Sequence, residues 1–176
     1  SQRLIVFSDD WGRHPSSCQH LVGHLLADCD VTWVNTIGTR PPRLDWQTLR
    51  RGVEKLRHWS GAADGPDGAE SAPRVLNPKM WPSFRYGWQR RVNRRLLAGC
   101  LARHVENLEQ TVVLTTLPIV ADLVGAVPVR RWVYYCVDDF SHWPGLDGRT
   151  LSGQERRLVA GADRLVAAGD NLAKHL

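Results

Sequence analysis

The feature that most constrains this chain is a recurring short apolar run followed by a segment with helical spacing. Leu4-Ile5-Val6-Phe7, Val31-Thr32-Trp33-Val34, Arg74-Val75-Leu76-Asn77, Val112-Val113-Leu114, Trp132 to Val137 and Arg164-Leu165-Val166-Ala167 each read as a strand. Between them, apolar residues at helical intervals predict helices over 17–27, 44–59, 83–108, 118–124 and 151–160, with a further one beginning at Asn171. Ser16 or Ser17 is the expected N-cap of the first. In the longest, Trp88, Val92, Leu96, Leu97, Cys100, Leu101, Val105 and Leu108 are expected to share the buried face. The Gly/Ala/Asp/Pro-rich stretch 60–73 reads as a surface loop.

Several of the strands are apolar at consecutive positions, so both of their faces need cover. Alternating strands and helices supply that cover. The expected fold is therefore α/β, a Rossmann-like three-layer sandwich with a mostly parallel sheet of about six strands. In such sheets ligands bind beyond the carboxyl ends of the strands. Those ends carry Ser8-Asp9-Asp10, Asn35, Asn77, Thr115-Thr116, Asp138-Asp139 and Gly169-Asp170, so both aspartate pairs should lie on one rim.

Two of these ends have the residue types for chemistry. In "SDDWGRHPSS", residues 8–17, Gly12 permits close backbone approach and Arg13 suits a phosphate or carboxylate. No GxGxxG is present, so the dinucleotide fingerprint is missing. In "CVDDF", residues 136–140, adjacent side chains of an extended strand point opposite ways. One of Asp138 and Asp139 is then expected to face the cleft while backbone donors hold the other; which is which stays open. A carboxylate there serves as an acid-base group or binds a substrate hydroxyl. His142 is placed to reach the same rim.

Composition narrows the partners. The formal net charge is +5, and arginine far outnumbers lysine. That allows anionic lipid, nucleic acid or a phosphorylated small molecule. The stretch "FRYGWQRRVNRR", residues 84–95, interleaves Phe84, Tyr86 and Trp88 with five arginines; a solvated helix face, a membrane interface and single-stranded nucleic acid all suit it. No run of 18 apolar residues exists, and no signal-peptide pattern is visible at the start. The four cysteines are widely separated and are expected to be reduced thiols. No metal site is expected: His20 and His24 lack the HExxH glutamate, and an Asp9/Asp10 plus Asp138/Asp139 pair lacks a third ligand. Most of the eight tryptophans are expected to be partly buried packing residues.

Together, "WGRHPSSCQHL", "VTWVNTIGTRPPRL", "YYCVDDFSHWPGLD" and "ERRLVAGADRLVAAGDNLAKHL" resemble the N-terminal half of family-4 glycosyltransferases with the GT-B fold. The resemblance is to the cell-surface polysaccharide group that includes teichuronic acid biosynthesis enzymes, and it covers nearly the whole chain apart from 60–73. It implies that residues 1–176 form the acceptor-side Rossmann-like domain and that a C-terminal donor-binding domain completes the enzyme. The implied activity is hexosyl transfer from a nucleotide-sugar to a cell-envelope glycan or lipid-linked acceptor, with retention of configuration and without metal or other cofactor. The implied location is cytoplasmic, peripheral on the inner face of the plasma membrane.

Residue by residue, the resemblance sets the loop 10–17 against donor diphosphate and acceptor. It implies Asp10, Gly12, Arg13, Ser16 and Thr116 as substrate-binding residues, with Pro118 beside Thr116; position on the rim adds Asn35 and His142 to them, the other reading of His142 being a plain loop histidine. Asp138 and Asp139 fall where many relatives carry a histidine that touches the transferred sugar. Here a carboxylate would instead hydrogen-bond a sugar hydroxyl or stabilise developing positive charge, which makes this pair the catalytic candidates. Trp88, Arg90, Arg91, Arg94 and Arg95 would dock on an anionic membrane surface, and no nucleic acid is implied. The competing expectation is a non-catalytic Rossmann-like module that binds a sugar, a lipid or a protein.

Overall fold

Side chains alternate across a strand, and the first strand shows what that alternation achieves. In β1 (Gln2–Ser8), Leu4 and Val6 enter one core cluster, while Ile5 and Phe7 enter another on the opposite face. This is the double burial expected from a continuous apolar run. The structure is a computed structural model of the chain and describes residues 2–12, 15–36, 72–142, 147–174 and 176. Arg13, the helix expected over 44–59 and nearly all of the loop expected over 60–73 lie outside the described residues.

The other strands are β2 (Cys29–Asn35), β3 (Arg74–Leu76), β4 (Val112–Thr115), β5 (Arg131–Cys136) and β6 (Arg164–Ala167). They form one six-stranded sheet in the order β3-β2-β1-β4-β5-β6, and every neighbouring pair is parallel. The helices are α1 (Ser17–Leu25), α2 (Gly87–His104), α3 (Gly148–Gly161) and the short α4 (Asp170–Ala173). On one face, Cys18 and Val22 of α1 pack with Leu4, Val6, Val31, Trp33 and Leu114. On the other, Leu97, Cys100 and Leu101 of α2 and Leu151 of α3 pack with Ile5, Phe7, Val34, Val113 and Trp132. Each fully buried aliphatic side chain contributes about 1.5–3 kcal/mol, so both helix layers are bound to the sheet by burial. The α/β three-layer sandwich is the expected one, with an all-parallel sheet.

Two expectations need correction. The longest helix is α2, over 87–104, not 83–108. Residues 81–86 instead form a loop held by side chains of α2 itself. Asn93 Oδ1 accepts from Trp81 N at 2.6 Å, and its Nδ2 donates to the carbonyls of Trp81 and Ser83 at 3.2 and 3.1 Å. Gln89 Oε1 accepts from Ser83 Oγ at 2.9 Å and from Tyr86 N at 3.0 Å. At the far end Asn107 turns the chain with a left-handed φ of 53°, and a 3-10 turn, Leu108–Gln110, follows.

The buried face of α2 is also rotated from the expected one. Gln89, Asn93, Leu97, Cys100 and Leu101 are buried, whereas Trp88 and Leu96 are exposed. Burial of the two amides follows from the loop they hold, since a buried amide needs partners and these have them. The short helix expected to open at Pro118 is present as a 3-10 helix, Pro118–Leu123. Of the tryptophans, Trp33 and Trp132 are buried, but Trp81 and Trp88 are exposed.

Candidate functional site at the carboxyl edge of the sheet

The chain leaves β1 for β2 and β3 on one side and returns to β4 on the other, so the strand order reverses between β1 and β4. Such a switch point opens a crevice at the carboxyl ends of the two strands. Here it is closed from beneath by a hydroxyl pair: Ser8 Oγ and Thr116 Oγ1 lie 2.8 Å apart, both buried, and Thr116 N donates to Phe7 O at 3.0 Å. Thr116, expected to bind substrate, instead joins two strand ends under the rim. Cys18 lies in the same layer. Burial pushes its thiol up to about 11, against a lowering hydrogen bond with Ser8 and a raising charge at Asp9.

The loop after β1 is stitched to its neighbours. Trp11 N donates to Asn35 Oδ1 at 3.1 Å, and Asn35 Nδ2 donates to Asn77 Oδ1 at 2.7 Å. Asn35 thus links the ends of β1, β2 and β3, and the amide expected to meet substrate is committed on both sides. Trp33 Nε1 donates to Asp9 O at 3.0 Å, and the Trp11 and Trp33 rings meet edge to face with centroids 4.8 Å apart. Gly12 has φ 77°, a left-handed turn that favours glycine. Its N–H donates to Gln19 Oε1 at 3.3 Å, while Gln19 Nε2 donates to Asp10 O at 3.3 Å. Ser16 is the N-cap of α1, accepting from Gln19 N at 3.2 Å. Gln19 and Asn77 were not among the expected site residues; the sequence signal for Gln19 is a polar side chain in the first turn after the cap.

At the other end of the rim, β5 stops at Cys136. Asp138 and Asp139 therefore lie in the turn beyond it, and strand alternation does not orient them. Asp138 Oδ1 accepts from Asp139 N at 2.8 Å. Asp139 Oδ1 accepts from Ser141 N at 3.1 Å and Ser141 Oγ at 2.5 Å, and Asp139 Oδ2 meets His142 Nδ1 at 2.6 Å. A 3-10 turn, Phe140–His142, brings the imidazole back over the carboxylate. Burial raises the Asp139 carboxyl, but hydrogen bonds from Ser141 and His142 outweigh it and hold the group below its ordinary value. The His142 side chain is 80% exposed. With Nδ1–H donated to the carboxylate, a neutral imidazole presents Nε2 to solvent as an acceptor. The Asp139 carboxylate is thus turned to the Ser141 and His142 donors, and the His142 ring is the more exposed of the pair.

The turn rests on α3. Asp147 caps that helix, accepting from Thr150 N at 3.3 Å and Thr150 Oγ1 at 2.8 Å. A Cβ on Gly148 would collide with the Ser141 carbonyl, so glycine lets the turn sit directly on the helix start. Beneath, Tyr134 Oη donates to Glu155 Oε1 at 2.6 Å in the buried layer between β5 and α3. Burial and then Glu155 raise the Tyr134 phenol far above its usual range, so it stays a donor.

The basic stretch lies at the start of α2. Trp81 and Trp88 contact edge to face with centroids 5.1 Å apart, and both are exposed together with Tyr86. Arg91, Arg94 and Arg95 are exposed, but Arg90 is half-buried, donating to Arg85 O at 3.1 Å and pairing with Asp122 at 3.4 Å. Arg90 is thus in part a strut of the loop, not a free docking cation. A cavity of about 720 Å³ lies instead at the amino edge of the sheet among Arg3, Asp30, Arg74, His104 and Glu106. Among the described residues no group of three or more His, Cys, Asp or Glu is placed to hold a metal ion; His20 and His24 face each other, Nε2 to Nε2, at 3.4 Å. All four cysteines are free. No helix among the described residues is long and apolar enough to cross a membrane.

The class these observations define is an α/β protein with an open, all-parallel Rossmann-like sheet and a polar rim at its carboxyl edge. The sequence matches no model of a known protein family, and no curated protein matches it significantly.

Proposed function

We propose that this chain is the acceptor-side half of a GT-B glycosyltransferase, one that moves a sugar from a nucleotide-sugar to a cell-envelope glycan or lipid-linked acceptor. The observation that carries the reading is the Asp139–His142 pair at the end of β5. Many members of the family it resembles carry a histidine at this strand end; here two aspartates follow the strand, but the turn returns a histidine to the same corner. An acceptor hydroxyl must lose its proton as it bonds to the anomeric carbon. The exposed Nε2 is suited to take that proton, and Asp139 would stabilise the resulting imidazolium. The donor diphosphate would leave toward the second half, with the loop 10–17 facing it. No residue here is assigned to a metal or another cofactor.

A base that takes the acceptor proton serves attack on either face of the sugar, giving inversion or retention; the resemblance implies retention. The proton coupling at the anomeric carbon of the product distinguishes the two. In this reading the exposed aromatic and arginine residues at the start of α2 dock the domain on the cytoplasmic face of a membrane, where a lipid-linked acceptor is held. The decisive experiment is a screen of nucleotide-sugars with the chain joined to a donor-binding half. Sugar transfer or donor hydrolysis that is lost in His142→Ala supports the reading. Turnover unchanged in that variant removes His142 from the chemistry. Absence of turnover with every donor favours the non-catalytic module.

A further inference from the structure

A cleft between α2 and α3 has a composition that neither the fold nor the sugar chemistry explains. Its walls are Gly87, Arg90, Arg91 and Arg94 of α2, Asp122 of the 3-10 segment and Arg157 of α3, around a volume of about 250 Å³. The single carboxylate is fully engaged. Asp122 Oδ1 accepts from Arg157 Nη1 at 2.9 Å, while Oδ2 pairs with Arg90 Nε at 3.4 Å and accepts from Gln154 Nε2 at 3.1 Å. Asp122 therefore fixes two guanidiniums side by side. Among the described residues, neither Arg91 nor Arg94 has a carboxylate partner. Four guanidinium groups thus share one carboxylate, on three elements that are far apart in sequence.

Gathering like charges is unfavourable unless an anion enters between them. Guanidiniums match phosphate oxygens in bidentate geometry, so phosphate is the anion this cleft suits. Pockets for drug-sized ligands begin at roughly 300 Å³, so the cleft suits a phosphate or diphosphate head, not a nucleotide. Exposed aromatics neighbour its lining along the chain: Trp88 follows Gly87 directly, Trp81 contacts Trp88, and Tyr86 precedes the helix. Indole and phenol rings anchor at the boundary between lipid and water, and a soluble phosphate has no use for them.

We propose that this cleft binds the phosphate head group of a membrane lipid while Trp81, Tyr86 and Trp88 enter the interface. The proposal rests on the docking part of the reading above and gives that surface a specific ligand; it does not depend on sugar transfer. It is tested with the 176-residue chain by co-sedimentation with phosphatidylcholine vesicles containing either phosphatidic acid or phosphatidylserine at matched surface charge. A monoester phosphate fits between the arginines, so binding to phosphatidic acid should be at least about tenfold tighter, a gain of the size a bidentate charged hydrogen bond supplies. Arg157→Gln should abolish that preference and leave binding to phosphatidylserine unchanged, because Arg157 lies outside the basic stretch. Asp122 keeps Arg90 and Gln154 in this variant, and circular dichroism checks its fold; Arg94→Gln, at an exposed position, provides a second variant that should lower the preference. Equal binding to the two lipids would overturn the cleft while leaving the docking surface standing. Binding of inorganic diphosphate without vesicle binding would overturn the lipid assignment. Failure to bind any anionic vesicle would overturn both.

Discussion

His142 Nδ1 lies 2.6 Å from Asp139 Oδ2, across one 3-10 turn at the end of β5. The pair needs no strand alternation and no distant partner. It needs only that the chain stop being a strand at Cys136 and coil back within three residues. What results is an imidazole with one nitrogen committed and the other presented to solvent on the rim.

If His142 accepts the acceptor proton, His142→Ala should lower kcat/KM in the complete enzyme by about 10²–10⁴-fold, the usual range for a positioned base. Asp139→Asn should lower it too, and should also change the ¹⁵N shifts of His142 in the isolated chain, where no turnover is needed. Acid sharpens the test. The Asp139 carboxyl is held below its ordinary value, so its stabilisation is present above the ordinary carboxylate range and is lost as pH falls from about 4 through the folded value. Thermal melts against pH should show that acid limb in the parent and a flatter one in Asp139→Asn; identical limbs would count against the hydrogen-bonded turn.

Alkaline pH should act through Cys18. Its thiol is raised by burial from 9.0 to about 11, so the fold favours the neutral form. That stability is fully present below about pH 9 and is lost as pH rises through the folded value; a two-unit shift is worth about 2–3 kcal/mol. Denaturant melts at pH 8 and pH 11 should therefore diverge in the parent more than in Cys18→Ala. A thiol-specific reagent should label Cys18 in the native state far more slowly than in urea.

Gly148→Ala tests the seat of the turn. The added methyl meets the Ser141 carbonyl, a backbone atom that yields only if the turn shifts. The expected cost is about 1–3 kcal/mol, the range for inserting a methyl into a packed contact. The His142 ring resonances should move with it. A variant as stable as the parent, with an unmoved ring, would show that the turn does not rest on α3.

Asn93→Ala removes three hydrogen bonds to the loop 81–86. Leaving those backbone groups unpaired should cost about 1–3 kcal/mol. The near-ultraviolet circular dichroism of the Trp81–Trp88 pair should weaken, since the loop that presents Trp81 would loosen. An unchanged spectrum would mean that Gln89 and Arg90 suffice to hold the loop.

The fold was legible because its signals are local. Leu4 to Phe7 and Val31 to Val34 are apolar at successive positions, and only a strand covered on both faces uses such a run. The polar residues after each run then had to share one edge once the strands were parallel. Helical spacing of apolar residues does not mark the buried face of α2: Gln89 and Asn93 are polar and buried, and nothing in that spacing marks an amide that will find its partners in a preceding loop. Asp138 and Asp139 were read as strand residues because Val137 extends the apolar run; the turn that reorients them is set by hydrogen bonds among Asp139, Ser141 and His142. Asp122 and Arg157 are 35 residues apart, and no pattern along the chain joins them.

By itself the sequence determined the six strands described, the two-sided burial of β1, β2 and β4 and the edge on which acidic and hydroxyl side chains collect. Those follow from residue-by-residue polarity and the two-residue period of an extended chain. Only the tertiary structure decided which of those side chains remain available. Ser8 takes up Thr116, Asn35 is held between Trp11 and Asn77, and Asp139 is given to His142. A hydrogen bond depends on where two groups meet in space, and their identities along the chain do not specify that.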